Sequence, residues 1–265
     1  MKLAASNIGW GPDDDLAVFE KLKAEGFAGV EIAPTRLVPV QPYAPDGVRL
    51  AASIAAQMRD TWGLDLCSMQ SVWYGLSERI FGSEEERAFL LRYTRSAIDF
   101  AAEVGVPHIV FGCPKNRVID HADQYPVGVR FFSDCAAYAE QKGVVIGMEA
   151  NPALYGTNYL NTTPEALALV RLIDSPFLRL NLDMGTIIAN QEPIASVAAA
   201  IPYASHVQIS EPALVKIVNR SEHAELARLL KSEGYEGWVS LEMKNLGLSD
   251  LFDSLEVVAQ AFGKN

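Results

Sequence analysis

Four apolar runs in the second half of this chain each carry, at or near their end, a polar residue able to bind a metal ion. They are Gly147-Met148-Glu149, Leu180-Asn181-Leu182-Asp183, His206-Val207-Gln208-Ile209 and Val239-Ser240-Leu241-Glu242. A carboxylate or amide closing such a run is unfavourable unless it meets a cation, a substrate or another polar group. Glu149, Asp183, Gln208 and Glu242 stand 25 to 34 positions apart, and the ends of successive barrel strands converge, so residues at that spacing can share one ion. Three carboxylates and an amide form an all-oxygen donor set, which favours Mg²⁺ or Mn²⁺ over zinc. A bound cation would lower the pKa values of its ligands and offset their repulsion. His206 shares a strand face with Gln208, because side chains alternate with period two. Either residue can serve as the fourth ligand; Gln208 is preferred, with His206 as a hydrogen-bonded neighbour or substrate contact.

The elements that must position these residues alternate along the chain. Strands are predicted at 2–7, 29–33, 64–70, 108–113, 144–149, 178–183, 206–210 and 238–243. Amphipathic helical stretches are predicted around 14–25, 48–61, 84–104, 133–142, 164–173, 194–201, 222–232 and 250–262, from apolar residues recurring at three- and four-residue steps. Gly26, Gly105, Gly143 and Gly234 each follow a helical stretch, where a left-handed residue ends a helix, and Thr162-Thr163-Pro164 supplies a capped start. Eight β-then-α units in this length predict an α/β (β/α)8 TIM barrel, one domain over residues 1–265. An open doubly wound sheet lacks its glycine fingerprint here. The loops at 32–45 and 70–83 are rich in Pro, Trp and Tyr and are expected to lie over a pocket.

Composition bounds the partners. The 265 residues are 49% hydrophobic, enough for a large core, and carry a formal net charge of -11. That charge argues against nucleic acid, whose phosphates need a basic face. No run is long enough to span a membrane, and the first residues, broken early by polar positions, are not expected to act as a signal peptide. Cys67, Cys113 and Cys135 have no paired spacing, so a cytoplasmic protein without disulfides is expected. Self-association into a homo-oligomer is compatible with the sequence, which does not identify an interface.

The segments Glu149-Ala150-Asn151-Pro152, Leu182-Asp183-Met184-Gly185, His206 to Glu211 and Ser240-Leu241-Glu242 resemble the xylose-isomerase-like TIM-barrel superfamily, and the resemblance covers the whole chain in strand order. It implies a sugar or sugar-phosphate isomerase or epimerase with a divalent metal on Glu149, Asp183, Gln208 and Glu242. It also assigns Glu149 and Glu242 the acid/base role. Proton transfer beside a carbonyl needs a base, an acid and a Lewis acid for the enediolate, so the assignment is chemically sound. The chain differs from the ketose 3-epimerases at Thr186, where a histidine is typical, at Gln208, and in lacking an arginine directly after Glu211. Its His-x-Gln pattern is closer to the hydroxypyruvate-isomerase-like branch.

Candidate substrate contacts are His206, Glu211, Asn151, Trp10, Gln70 and His108, with Asn7, Glu31, Trp73 and Tyr74 as further pocket candidates. Arg117 with Lys115 either meets an anionic substrate group or sits on a solvated loop. The expected partner is a small carbohydrate. Alternatives are a dehydratase or lyase of inosose or dehydroshikimate type and a non-catalytic sugar-binding barrel. A nuclease of the endonuclease IV branch would need more histidines than the four present.

Overall fold

The computed structural model describes residues 1–263. Among these, the strands are β1 (Lys2–Ser6), β2 (Gly29–Ile32), β3 (Asp65–Met69), β4 (His108–Phe111), β5 (Val145–Glu149), β6 (Leu178–Asp183), β7 (Ala204–Ile209) and β8 (Trp238–Leu241). They pair in chain order to form a closed barrel. Each is parallel to the next, and β8 closes on β1 through Lys2↔Trp238 and Ala5↔Leu241. This is the (β/α)8 barrel that the alternation predicts.

The helices are α1 (Asp15–Ala24), α2 (Pro34–Leu37), α3 (Pro45–Trp62), α4 (Glu84–Val104), α5 (Tyr125–Lys142), α6 (Thr163–Ile173), α7 (Met184–Ala189), α8 (Ser221–Ser232) and α9 (Leu248–Phe262). Their ends follow local chemistry. Ser83 with Glu86 and Thr162 with Glu165 close capping boxes on α4 and α6. Gly105 and Gly143 end α4 and α5 at φ of 81° and 70°, where a side chain would be strained. No helix among the described residues is long and apolar enough to cross a membrane.

Three details differ from expectation. Helix α5 starts at Tyr125 rather than near 133, with Pro126 in its first turn. The stretch expected as a helix at 194–201 is a 3-10 helix, Ile194–Tyr203. Pro202 cannot donate the α-helical bond to Ala198 and disfavours α geometry at Ile201. Helix α7 begins directly after β6, because the Asp183 side chain accepts from the Thr186 N–H and serves as its N-cap.

The apolar core lies between barrel and helices, where Phe100, Phe111, Phe132, Leu22 and Leu90 are fully buried. The barrel interior is polar instead. Ser6, Glu31, Ser68, Asn181, His206, Gln208 and Ser240 are all buried, and several meet across it from strands that are not neighbours. Gln208 Nε2 on β7 donates to Glu31 Oε1 on β2 at 2.8 Å, and the rings of His206 and His108 stack at 4.9 Å.

Candidate active site

Glu149 and Asp183 are the last residues of β5 and β6, and Glu242 follows β8. They meet at the floor of a cavity of about 480 Å³, whose lining also includes Gln70, Asn151, Trp73, Tyr74, Lys115 and Tyr155. One ligand atom from each of the three carboxylates lies within 4.8 Å of the others. All three are buried. Each is held by donors. Asp183 Oδ2 accepts from Thr186 N at 2.7 Å and Thr186 Oγ1 at 2.8 Å, while Oδ1 accepts from Ser210 Oγ at 2.5 Å. Glu149 Oε2 accepts from Asn151 Nδ2 at 2.8 Å. Glu242 Oε1 accepts from Gln70 Nε2 at 2.6 Å.

Electrostatically the cluster is unbalanced. Burial pushes the Glu149 carboxyl up to about 8, the charge of Asp183 adds to this, and Asn151 and Arg117 oppose it. Glu242 is pushed well above the ordinary range by burial and then by the charges of Glu149, Glu31 and Asp183. Burial also raises Asp183, against the donors from Ser210 and Thr186. Three buried, mutually repelling oxygen donors within reach of one point fit a hard divalent cation, which would relieve both the repulsion and the lost hydration.

Gln70 and Asn151, predicted as substrate contacts, line the cavity, and each donates to a carboxylate of the cluster. Gln208 does not line it. Its Oε1 accepts from Asn181 Nδ2 at 2.5 Å and its Nε2 is held by Glu31, so the predicted fourth ligand is engaged within the barrel. His206 is fully buried, with Nε2 2.8 Å from Glu31 Oε2. His108 shares hydrogen bonds with Ser68 Oγ and Ser205 Oγ, both at 2.9 Å. Both rings are buried inside the barrel, and neither lines the cavity. Glu211 is turned to Arg220, which donates to both its oxygens at 2.7 Å. The arginine absent directly after Glu211 thus arrives nine residues later.

Trp10 belongs to a second cavity, between α1 and α3, and donates to Asp15 Oδ1 at 2.7 Å. The 32–45 loop contributes Arg36, Leu37 and Pro39 to that same cavity, so of the two expected covering loops only 70–83 lines the acid site. Asn7 accepts from the Ala33 N–H at 2.8 Å, which ties β1 to β2.

Arg117 is fully buried rather than on a solvated loop. Tyr155, unremarked in the sequence, lines the cavity, and its hydroxyl accepts from Ala213 N at 2.9 Å, joining the loops after β5 and β7. Its position six residues beyond Glu149 was the available signal. Ser71, Cys113 and Leu214 hold positive φ of 56°, 49° and 54°, and all three line the cavity. Strained backbone of this kind collects at functional sites.

Gly112 lines the wall beside Glu149, and a methyl group there would collide with Glu149 Oε2. The Glu149 carboxylate, which Asn151 holds, would have to shift to make room. Gly112→Ala should therefore lower turnover by roughly tenfold or more, as displaced supporting groups commonly do, with little change in melting temperature. Parallel activity and thermal-melt measurements check this.

The family model described as xylose isomerase-like TIM barrel matches residues 19–261. No curated protein matches the sequence significantly. Among solved structures, D-psicose 3-epimerase in the presence of D-fructose superposes with a TM-score of 0.77 at 18% identity, covering 100% of both chains. A D-tagatose 3-epimerase-like protein gives 0.78 at 20% identity, covering 98% of this chain and 97% of its own. The 3-keto-D-glucoside 4-epimerase of E. coli gives 0.76 at 18%, covering 98% of each. At such identities the superpositions establish the shared barrel. The family match, which spans residues 19–261 of the 265, shows that the chain belongs to the xylose isomerase-like TIM barrel family.

Proposed function

We propose that this chain is a divalent-metal-dependent isomerase or epimerase of a sugar, a sugar phosphate or a related hydroxy-carbonyl compound. The observation that carries the reading is the convergence of buried Glu149, Asp183 and Glu242 at the cavity floor, with ligand atoms within 4.8 Å. The names of the structural neighbours, sugar epimerases among them, support the same class. Glu149, Asp183 and Glu242 would hold Mg²⁺ or Mn²⁺, and Gln208 would join them only by leaving Asn181. When bound, the ion supplies Lewis acidity that stabilises negative charge on the substrate's carbonyl oxygen.

The remaining chemistry belongs to the side chains. Glu149 and Glu242 are the proton carriers: one removes a proton from the carbon beside the carbonyl and the other returns one. Return to the opposite face of the same carbon epimerises, and transfer to the neighbouring carbon isomerises. Gln70 and Asn151 keep the two carboxylates aimed at the cavity. Trp73 is held by its Nε1 bond to Thr94 Oγ1 at 3.0 Å and offers a fixed apolar wall to a sugar ring. The cysteine pattern supports a cytoplasmic location.

The test is deuterium incorporation from heavy water into a panel of ketoses, aldoses and their phosphates. Incorporation should fall at least about 100-fold on chelation and return with Mn²⁺ or Mg²⁺. No incorporation across the panel in the metal-loaded protein would remove the reading, and a product lighter by one water would make the chain a dehydratase.

A further inference from the structure

Arg117, in the loop between β4 and α5, is fully buried beside the acid cluster. Its Nη2 donates to Asn151 Oδ1, its Nη1 lies 3.5 Å from Met148 Sδ, and its Nε has no partner. The main chain around it is fixed, since its carbonyl oxygen accepts from Thr157 Oγ1 at 2.5 Å. A buried guanidinium is costly without a counter-charge. The carboxylate that acts on its charge is Glu149, reached through Asn151, whose Nδ2 donates to Glu149 Oε2 at 2.8 Å.

This chain of groups has only one polarity. A guanidinium donates and never accepts, so Asn151 must turn its oxygen to Arg117. Its nitrogen then faces Glu149, which as a carboxylate accepts and never donates. The Asn151 backbone is itself pinned: its N–H donates to Leu160 O at 3.0 Å and its carbonyl oxygen accepts from Asn161 Nδ2 at 2.8 Å. Without Arg117 the Asn151 oxygen would lose its partner, and only the carboxylate itself would hold the amide in place.

We propose that Arg117 is a positioning residue which, by fixing the Asn151 amide, orients the Glu149 carboxylate within the acid cluster and supplies positive charge behind it. The inference rests on the reading of Glu149 as a metal-binding, proton-carrying group. It assigns Asn151 a role in orienting Glu149 rather than in direct recognition of substrate.

The test compares Arg117→Met, Arg117→Lys, Asn151→Leu and the Arg117→Met/Asn151→Leu double variant with the parent. The readouts are Mn²⁺ affinity by electron paramagnetic resonance, kcat and KM for deuterium exchange, and folding by circular dichroism. Arg117→Met and Asn151→Leu should each weaken Mn²⁺ binding about tenfold, the usual scale for a group that orients a ligand. They should also lower kcat with KM little changed. The double variant should be no weaker than the weaker single, because both act through one chain, and Arg117→Lys should recover part of the loss. Folded Asn151→Leu with parental Mn²⁺ affinity and kcat would overturn the inference, as would full additivity in the double variant. Should Arg117→Met fail to fold, Asn151→Leu decides alone. A parent that binds no Mn²⁺ removes the metal-site reading and this inference with it. A parent that binds Mn²⁺ but exchanges no substrate hydrogen removes the proposed activity, while the affinity arm still decides the role of Arg117.

Discussion

Glu242→Gln should lower substrate hydrogen exchange by about 10²–10⁴-fold, the range expected for loss of a positioned acid or base, and Glu149→Gln should do the same. Glutamine keeps the volume and one oxygen of glutamate but cannot take up a proton at working pH. The substitution also removes one of three buried carboxyls whose charges repel one another when ionised. The metal-free variant should therefore melt higher than the metal-free parent, while Mn²⁺ affinity falls. Lost turnover combined with gained apo stability separates a proton carrier from a group that merely holds the fold. If the enzyme epimerises with two bases, each variant should retain exchange from one epimer and lose it from the other. Parental exchange of both epimers by Glu242→Gln would exclude Glu242 as a base. The assay is heavy-water exchange followed by proton resonance, beside a thermal melt in chelator.

Much of this site was legible because barrel strands are short and their ends are chemically distinct. The runs closing at Glu149 and Asp183 and just before Glu242 read directly as strand ends, and the closed barrel brings those ends together. What period-two reasoning could not supply is the partner that each inward side chain meets. His206 and Gln208 share the inward face with Asp183, but Gln208 pairs in register with Asp183 and Ser240, two residues below Glu242. At that level it meets Glu31 from across the barrel, a contact between β7 and β2 that nothing local encodes. Glu211 was legible as a polar residue after β7, but its partner Arg220 lies beyond a loop whose path the sequence does not fix. Arg117 reads as a loop cation in any window, and only the packing of the loops after β4 and β5 buries it beside Glu149. The 3-10 helix at Ile194–Tyr203 shows the converse: Pro202 was visible, and its veto on α geometry could have been applied.

In chelator, the melting temperature of this protein should fall as pH rises from about 5 to 9, and added Mn²⁺ should counter that slope. The sign follows from linkage. Glu149, ordinarily near 4.5, is pushed up to about 8 in the fold, and Asp183 and Glu242 are raised with it. Between those values the native state holds protons that the unfolded chain has released, so unfolding becomes easier as pH increases. The penalty is absent below the ordinary carboxylate range and complete only above about 8. For one such group it amounts to a few kcal/mol, roughly 5–10 °C in a domain of this size. The overall charge of -11 also grows more negative with pH and contributes a shallower slope of the same sign. Glu242→Gln separates the two, since it changes the surface little and removes a raised carboxyl from the cluster; its slope in chelator should be flatter than the parent's. Mn²⁺ binds the deprotonated carboxylates, so its stabilisation should grow with pH. At 100 times its dissociation constant it adds about 2.7 kcal/mol, of the same order as the penalty it relieves. Melts at pH 5.5, 7 and 8.5, with and without Mn²⁺, measure both effects. A chelated parent whose stability rises across that range, or a slope that Glu242→Gln leaves unchanged, would show that the three carboxylates are not the source of the instability.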